Sequence, residues 1–242
     1  MTSFYLFIFL FLLFSLGGIG IMLANQKKRK CERRDSWIKY FVYFLIVNTL
    51  FASITYCPSL FSVFCVLIVL GGCFELIRLQ HSSHQLSYSE FSIFLTAYIA
   101  LSVLFCLFGF WEQDTQLFTL LIVCSFDAFS QLSGQLFGKR KICPRISPAK
   151  MVGGTIGGTI ISMIVCLIAG CNMGWKINTA LVSGLVIVGA SFIGDLAASY
   201  VKRRFGVKDF GQIFPGHGGF LDRFDSLILA GTFMYLLQWC YR

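Results

Sequence analysis

"KDFGQIFPGHGGFLDRFDS", residues 208–226, places three aspartates, a histidine, an arginine and a lysine among recurrent glycines. An apolar run of roughly a membrane's width, about 20 residues, begins almost at once. Asp222 and Asp225 stand i,i+3 at the start of that run, so on a helix they share a face. Asp209 comes from the loop before them. Gly206, Gly211, Gly216, Gly218 and Gly219 exclude a continuous rigid helix and let backbone N–H groups approach a ligand. Carboxylates brought together repel unless a cation lies between them. Hard oxygen donors without clustered cysteine or histidine suit magnesium, Mg2+, and Lys208 and Arg223 are natural partners of phosphate. Acids, bases and glycines together predict a metal-bound polyphosphate substrate.

The rest of the chain says what surrounds this stretch. Of 242 residues, 57% are apolar and only 13% charged, against roughly 25% charged in a soluble globule. A chain of this size cannot hide that much apolar surface inside itself, so a bilayer is its solvent. The net charge of +9 is read as positive cytoplasmic loops, with no nucleic acid partner expected. Most of the ten cysteines lie singly inside apolar runs, with no CxxC and no metal-ligand spacing.

Eight apolar runs are candidate spanning helices, at about 4–24, 37–56, 59–78, 92–111, 117–138, 151–171, 179–200 and 221–240. The fold class predicted is all-α, a polytopic membrane protein forming one unit over 1–242. Residues 1–111 are its N-terminal helices and 117–242 its catalytic ones. The short turn at "CPS" (57–59) makes the second and third helices a hairpin. The run at 4–24 lacks a basic start and is followed by "NQKKRKCERR", the charge order of a retained span. With the N-terminus outside, segments 25–39, 78–91, 139–150 and 202–223 are inner and hold 18 of the 20 lysines and arginines. This asymmetry predicts an N-out, C-out multi-pass protein whose chemistry opens on the cytoplasm; a polar cleft on that side and a bacterial inner membrane are further expectations.

A charged residue inside a span is expensive and marks function by default. Asp127 lies mid-run, with Ser130, Gln131 and Gly134 at i+3, i+4 and i+7, a polar stripe that also fits helix packing. Asp195 shares a face with Ser199 and Lys202, while Arg203 and Arg204 double as interfacial anchors. Glu75 stands three residues before Arg78, as in a plain ion pair. "KRKICPRISPAK" (139–150), with Ser147 and Lys150, is a basic loop. The glycines of "MVGGTIGGTI" (151–160) serve either a phosphate at a helix start or close helix packing.

Residues 199–225, "SYVKRRFGVKDFGQIFPGHGGFLDRFD", resemble the signature of the phosphatidate cytidylyltransferases, or CDP-diacylglycerol synthases: S-x-apolar-K-R, four residues, K-D-x-G, two residues, apolar-P-x-H-G-G-apolar-x-D-R-apolar-D. Every fixed position is met. The resemblance implies transfer of a cytidylyl group from CTP to phosphatidate, with magnesium on Asp209, Asp222 and Asp225 and a catalytic set of these three with Lys208 and Ser199. It also implies substrate binding by Lys202, Arg203, Arg223, His217, Gly218, Gly219, Ser147, Lys150, Asp127 and Asp195. Besides both substrates, membrane lipids are the expected partners, and a homodimer is admitted. Gly153 and Ala198 stand where the family pattern carries glutamates; if both line the cleft, restoring glutamate is expected to be tolerated and to raise turnover. A secondary transporter with intramembrane carboxylates and a degenerate, non-catalytic relative are the rival readings.

Overall fold

The computed structural model describes residues 2–26, 29–83, 86–211 and 218–240. Among them are eight helices: α1 (Thr2–Ala24), α2 (Lys30–Tyr56), α3 (Pro58–Ser83), α4 (Tyr88–Phe108), α5 (Gln113–Phe137), α6 (Val152–Asn172), α7 (Ile177–Arg204) and α8 (Leu221–Cys240). Two short antiparallel strands, β1 (Lys141–Cys143) and β2 (Ser147–Met151), lie between α5 and α6. All eight expected helices form. The basic loop expected at 139–150 is this hairpin instead, a small departure from all-α. Its paired strands satisfy backbone groups that a bare loop would leave to water.

Seven helices, α1 to α7, are long and apolar enough to cross a membrane, and the chain is a multi-pass membrane protein. The eighth expected span, α8, falls short in apolarity because Asp222, Arg223 and Asp225 occupy its opening turns. Its position compensates. Leu227, Ile228, Ala230, Thr232 and Met234 are buried inside the bundle, so neighbouring helices cover much of it, while Phe233, Leu236 and Trp239 stay exposed. Outward-facing residues such as Phe11, Leu16, Phe41, Leu70, Ile156 and Leu185 are the exposed apolar ones, as a lipid solvent demands.

The helices are not equal. In α5, 56% of the apolar span is buried, against 17% for α1 and α4, so α5 is the axis and those two are peripheral. Pro58 opens α3 directly after α2, where its missing N–H costs nothing. The far ends of the helices are tied by amide side chains. Gln113 donates to the carbonyls of Ile54 and Thr55, and Gln116 to those of Phe108, Gly109 and Trp111.

The glycines of "MVGGTIGGTI" prove to be packing residues. A Cβ on Gly154 would lie 2.5 Å from the Ser130 carbonyl oxygen, and one on Gly158 2.7 Å from Ser130 Cβ, so α6 lies backbone to backbone against α5. Gly158→Val is therefore expected to destabilise the bundle by about 1–3 kcal/mol. Gly189→Ala, in open space on α7, should leave it unchanged or slightly firmer. Thermal unfolding in detergent separates the two, and equal melting temperatures would refute the close-packing account.

Candidate active site

α5, α7 and α8 converge on one cleft of about 640 Å³, which also takes residues from α1, α2 and β2. The close approach of α7 and α8 depends on Gly194. A Cβ there would stand 2.7 Å from the Asp225 carbonyl oxygen, so this glycine lets Asp195 and Asp225 face the same space.

Asp222, buried in the first turn of α8, has both oxygens engaged. Oδ1 takes the Lys202 ammonium at 2.6 Å, and Oδ2 accepts from the N–H groups of Phe210 and Gly219, each at 2.8 Å. Lys202 also lies 5.4 Å above the Phe210 ring. Gly218 has φ +80°, a left-handed conformation that favours glycine, and a Cβ there would sit 2.8 Å from Asp222 Oδ2. Asp222 thus holds together α7, α8 and the two ends of the segment joining them.

One turn on, Asp225 Oδ1 accepts from the Ser226 N–H at 2.7 Å. The Ser226 hydroxyl reaches both Asp127 Oδ1 and the Ser191 carbonyl at 3.3 Å. Across the cleft, Asp195 pairs with Lys150 of β2 at 3.1 Å and accepts from the Ser199 hydroxyl at 3.4 Å. Lys150 is fixed from behind by the Phe192 carbonyl at 3.0 Å and lies 4.3 Å above the Phe192 ring. The hairpin missed in the sequence is what delivers Lys150. Asp127, Asp195 and Asp225 are electrostatic neighbours. Arg223 lines the same cleft, and its buried Nε has no hydrogen-bond partner among the described residues.

The residues singled out in the sequence therefore divide. Asp127, Ser147, Lys150, Asp195, Lys202, Asp222, Arg223 and Asp225 line the cleft. Ser199 is buried behind Asp195. Gly218 and Gly219 frame Asp222 through their backbone. Lys208 and Asp209 are exposed and stand outside the cleft lining, and so does Arg203. The Arg203 guanidinium is spent on the carbonyls of Ile146 and Val207, where it ties the hairpin to the end of α7. His217 lies outside the described residues. Asp209, Asp222 and Asp225 do not gather into a metal-holding group: Asp209 is exposed beside Gly218 and outside the cleft lining, and Asp222 is already held by a lysine and two amides.

Among the described residues no three acidic, histidine or cysteine side chains gather tightly enough to hold a metal alone. Magnesium rarely asks for that; one or two carboxylates with substrate phosphates and waters suffice. The neighbouring carboxylates of Asp195 and Asp225 fit this requirement. Phosphates entering beside four aspartates would meet repulsion that a divalent cation removes.

Gly153 and Ala198 do not line the cleft. A Cβ on Gly153 would meet the Phe137 carbonyl oxygen at 3.0 Å, and Ala198 is buried in the core, so a glutamate at either place strains or charges a packed interface. The condition on which glutamate was expected to be tolerated, that both positions line the cleft, is not met. Several cleft residues carry no local signal. Lys39, Tyr40 and Tyr43 come from α2, far away in the chain. Glu75 sits beneath the site, its carboxylate against the start of α8.

Charged residues of α5, α7, α8 and β2 turn into one cleft of an otherwise apolar helical bundle, the arrangement of a membrane protein with a charged interior site. The chain belongs to the cytidylyltransferase family, which it matches over residues 1–241. It is 45% identical over 127 residues to the uncharacterized protein YnbB of Escherichia coli strain K12, a match covering 51% of this chain and 42% of that one. It is 34% identical over 176 residues to a phosphatidate cytidylyltransferase of Brucella abortus, covering 69% of this chain and 63% of the relative. A phosphatidate cytidylyltransferase of Staphylococcus aureus is 39% identical over 162 residues, covering 63% and 62%. The chain thus spans less than two thirds of the length of these relatives.

Proposed function

We propose that the protein transfers the cytidylyl group of CTP to phosphatidate, giving CDP-diacylglycerol and pyrophosphate. The observation that carries this reading is the composition of the cleft. The cleft is lined both by the charged Asp127, Asp195, Asp225, Lys150, Lys202 and Arg223 and by the apolar Leu10, Leu13, Phe14 and Phe129. A substrate with phosphates at one end and acyl chains at the other matches both parts. The names of the relatives support the same reaction.

In the reaction, a phosphate oxygen of the lipid bonds to the α-phosphorus of CTP. The bond from that phosphorus to the bridging oxygen breaks, and its electron pair leaves with pyrophosphate. The lipid phosphate is already a nucleophile, so no strong protein base is required. Lys150, held from three sides, and Arg223 are placed to neutralise phosphate charge as it moves. Lys202 is committed to Asp222 and acts by keeping α8 in place. Asp195 and Asp225 would hold magnesium, which would supply Lewis-acid stabilisation of that charge.

The decisive assay is purified protein in mixed micelles with labelled CTP and phosphatidate, with and without magnesium. Magnesium-dependent formation of CDP-diacylglycerol is expected. No product under any divalent ion would favour the degenerate relative.

The cleft opens to the cytoplasm in this reading, from the 18 inner basic residues. Cys31, exposed at the start of α2, then lies inside. An impermeant thiol reagent should leave it unlabelled in intact cells and label it in inverted vesicles. The reverse pattern would overturn the orientation.

A further inference from the structure

We infer that Glu75 of α3 is a positioning residue that sets the height and angle of α8, and through it the location of Arg223 and Asp225. The inference about catalysis rests on the cytidylyl-transfer reading; the structural part does not. Glu75 is 1% exposed, a buried carboxylate on a helix that contributes no residue to the cleft. The ion pair with Arg78 suggested by their spacing is absent among the described residues. Instead the two oxygens are divided, Oε1 accepting from the Phe220 N–H at 2.7 Å and Oε2 from the Leu221 N–H at 2.9 Å. These amides stand at the opening of α8, where N–H groups have no partner within the helix. The negative charge also opposes the positive end of the α8 dipole.

The fit around this carboxylate is specific. A Cβ on Gly211 or on Gly219 would approach Glu75 Oε1 to 2.5 Å, so the glycines flanking residues 212–217 close directly over it. Gly71 and Gly72, one turn earlier on α3, give the same closeness to Phe220 and Leu221, with Cβ positions 3.0 and 3.2 Å from those side chains. Asp222 holds the start of α8 from the α7 side, and Glu75 holds it from the α3 side. With two anchors on opposite sides, α8 has one allowed position; with one, it can pivot about Asp222.

The test uses Glu75→Gln, which keeps the size but turns an NH2 toward a backbone N–H, and Gly219→Ala, which crowds the same oxygens. Amide hydrogen exchange is read first, because it needs no substrate. Exchange at Phe220 and Leu221 should rise at least tenfold in Glu75→Gln, with α5 and α6 unchanged. Turnover should fall at least tenfold in both variants, with KM for CTP within threefold of wild type. The double variant should be little worse than either single one, because both changes act on one contact. Unchanged exchange at 220–221 would overturn the anchor. A rise spread over the whole bundle, or a loss confined to KM, would overturn the positioning role. If wild type itself makes no product while the exchange result holds, the reaction reading fails and the anchor stands.

Discussion

Asp225→Asn is expected to lower turnover about 10³-fold, the scale of ~4 kcal/mol of transition-state charge stabilisation, while the bundle stays folded. The reason is that Asp225 does little for the fold. Its visible tie is one backbone N–H, from Ser226, which an asparagine oxygen accepts equally well. What asparagine cannot reproduce is the negative charge beside Asp195, which the proposed reaction uses to hold magnesium. The remaining activity should demand more magnesium, since one of two carboxylates is gone. Turnover across a magnesium titration, beside a thermal unfolding curve, checks both halves. Wild-type turnover would remove Asp225 from the site, and a collapsed melting temperature would show it to be structural.

Asp222→Asn is expected to fail differently, by loss of stability. Lys202 would be left as a buried cation without its partner, a change on the order of 3–5 kcal/mol, and two backbone N–H groups would compete for what remains. Lys202→Met should do comparable damage, and the double variant Lys202→Met with Asp222→Asn should be less damaged than the sum, because no charge is stranded. Thermal unfolding in detergent reads this. Additive losses would mean that the 2.6 Å contact carries no coupling. Asp222 and Asp225, three residues apart and alike in sequence, would then have been separated by function: one assembles the site, the other faces the substrate.

That separation is what the sequence could not express. The apolar period and the basic loops made eight helices and their order legible, because a bilayer imposes a length and leaves charges only at its edges. The acids at 127, 195, 222 and 225 were legible for the same reason: each is costly in hydrocarbon. Local spacing, however, assigns a partner only along one helix. It offered Arg78 to Glu75, whose real partners lie 145 and 146 residues away. It offered Asp209 to the metal, although that residue is exposed and outside the cleft lining, and it offered Arg203 to phosphate, although the hairpin uses it. Gly194, directly before Asp195, marks where a second helix comes close, a signal that spacing along one helix does not assign. The hairpin had no apolar alternation to announce it and was read only as charge.

Among the described residues α8 is the one helix not apolar enough to be taken for a span, yet it carries Asp222 and Asp225 and lies among α4, α7 and α5. Gly231 shows how closely it is held, since a Cβ there would come within 2.8 Å of the Phe105 ring. Such a segment has little reason to leave the translocation machinery for lipid by itself. Its entry is favoured by helices synthesised before it, already waiting in the membrane with a slot of matching shape. Biogenesis and activity are thereby joined: a nascent chain has no competent cleft until α8 docks, and a chain that fails to dock it exposes an incompletely hydrophobic segment that quality control can recognise.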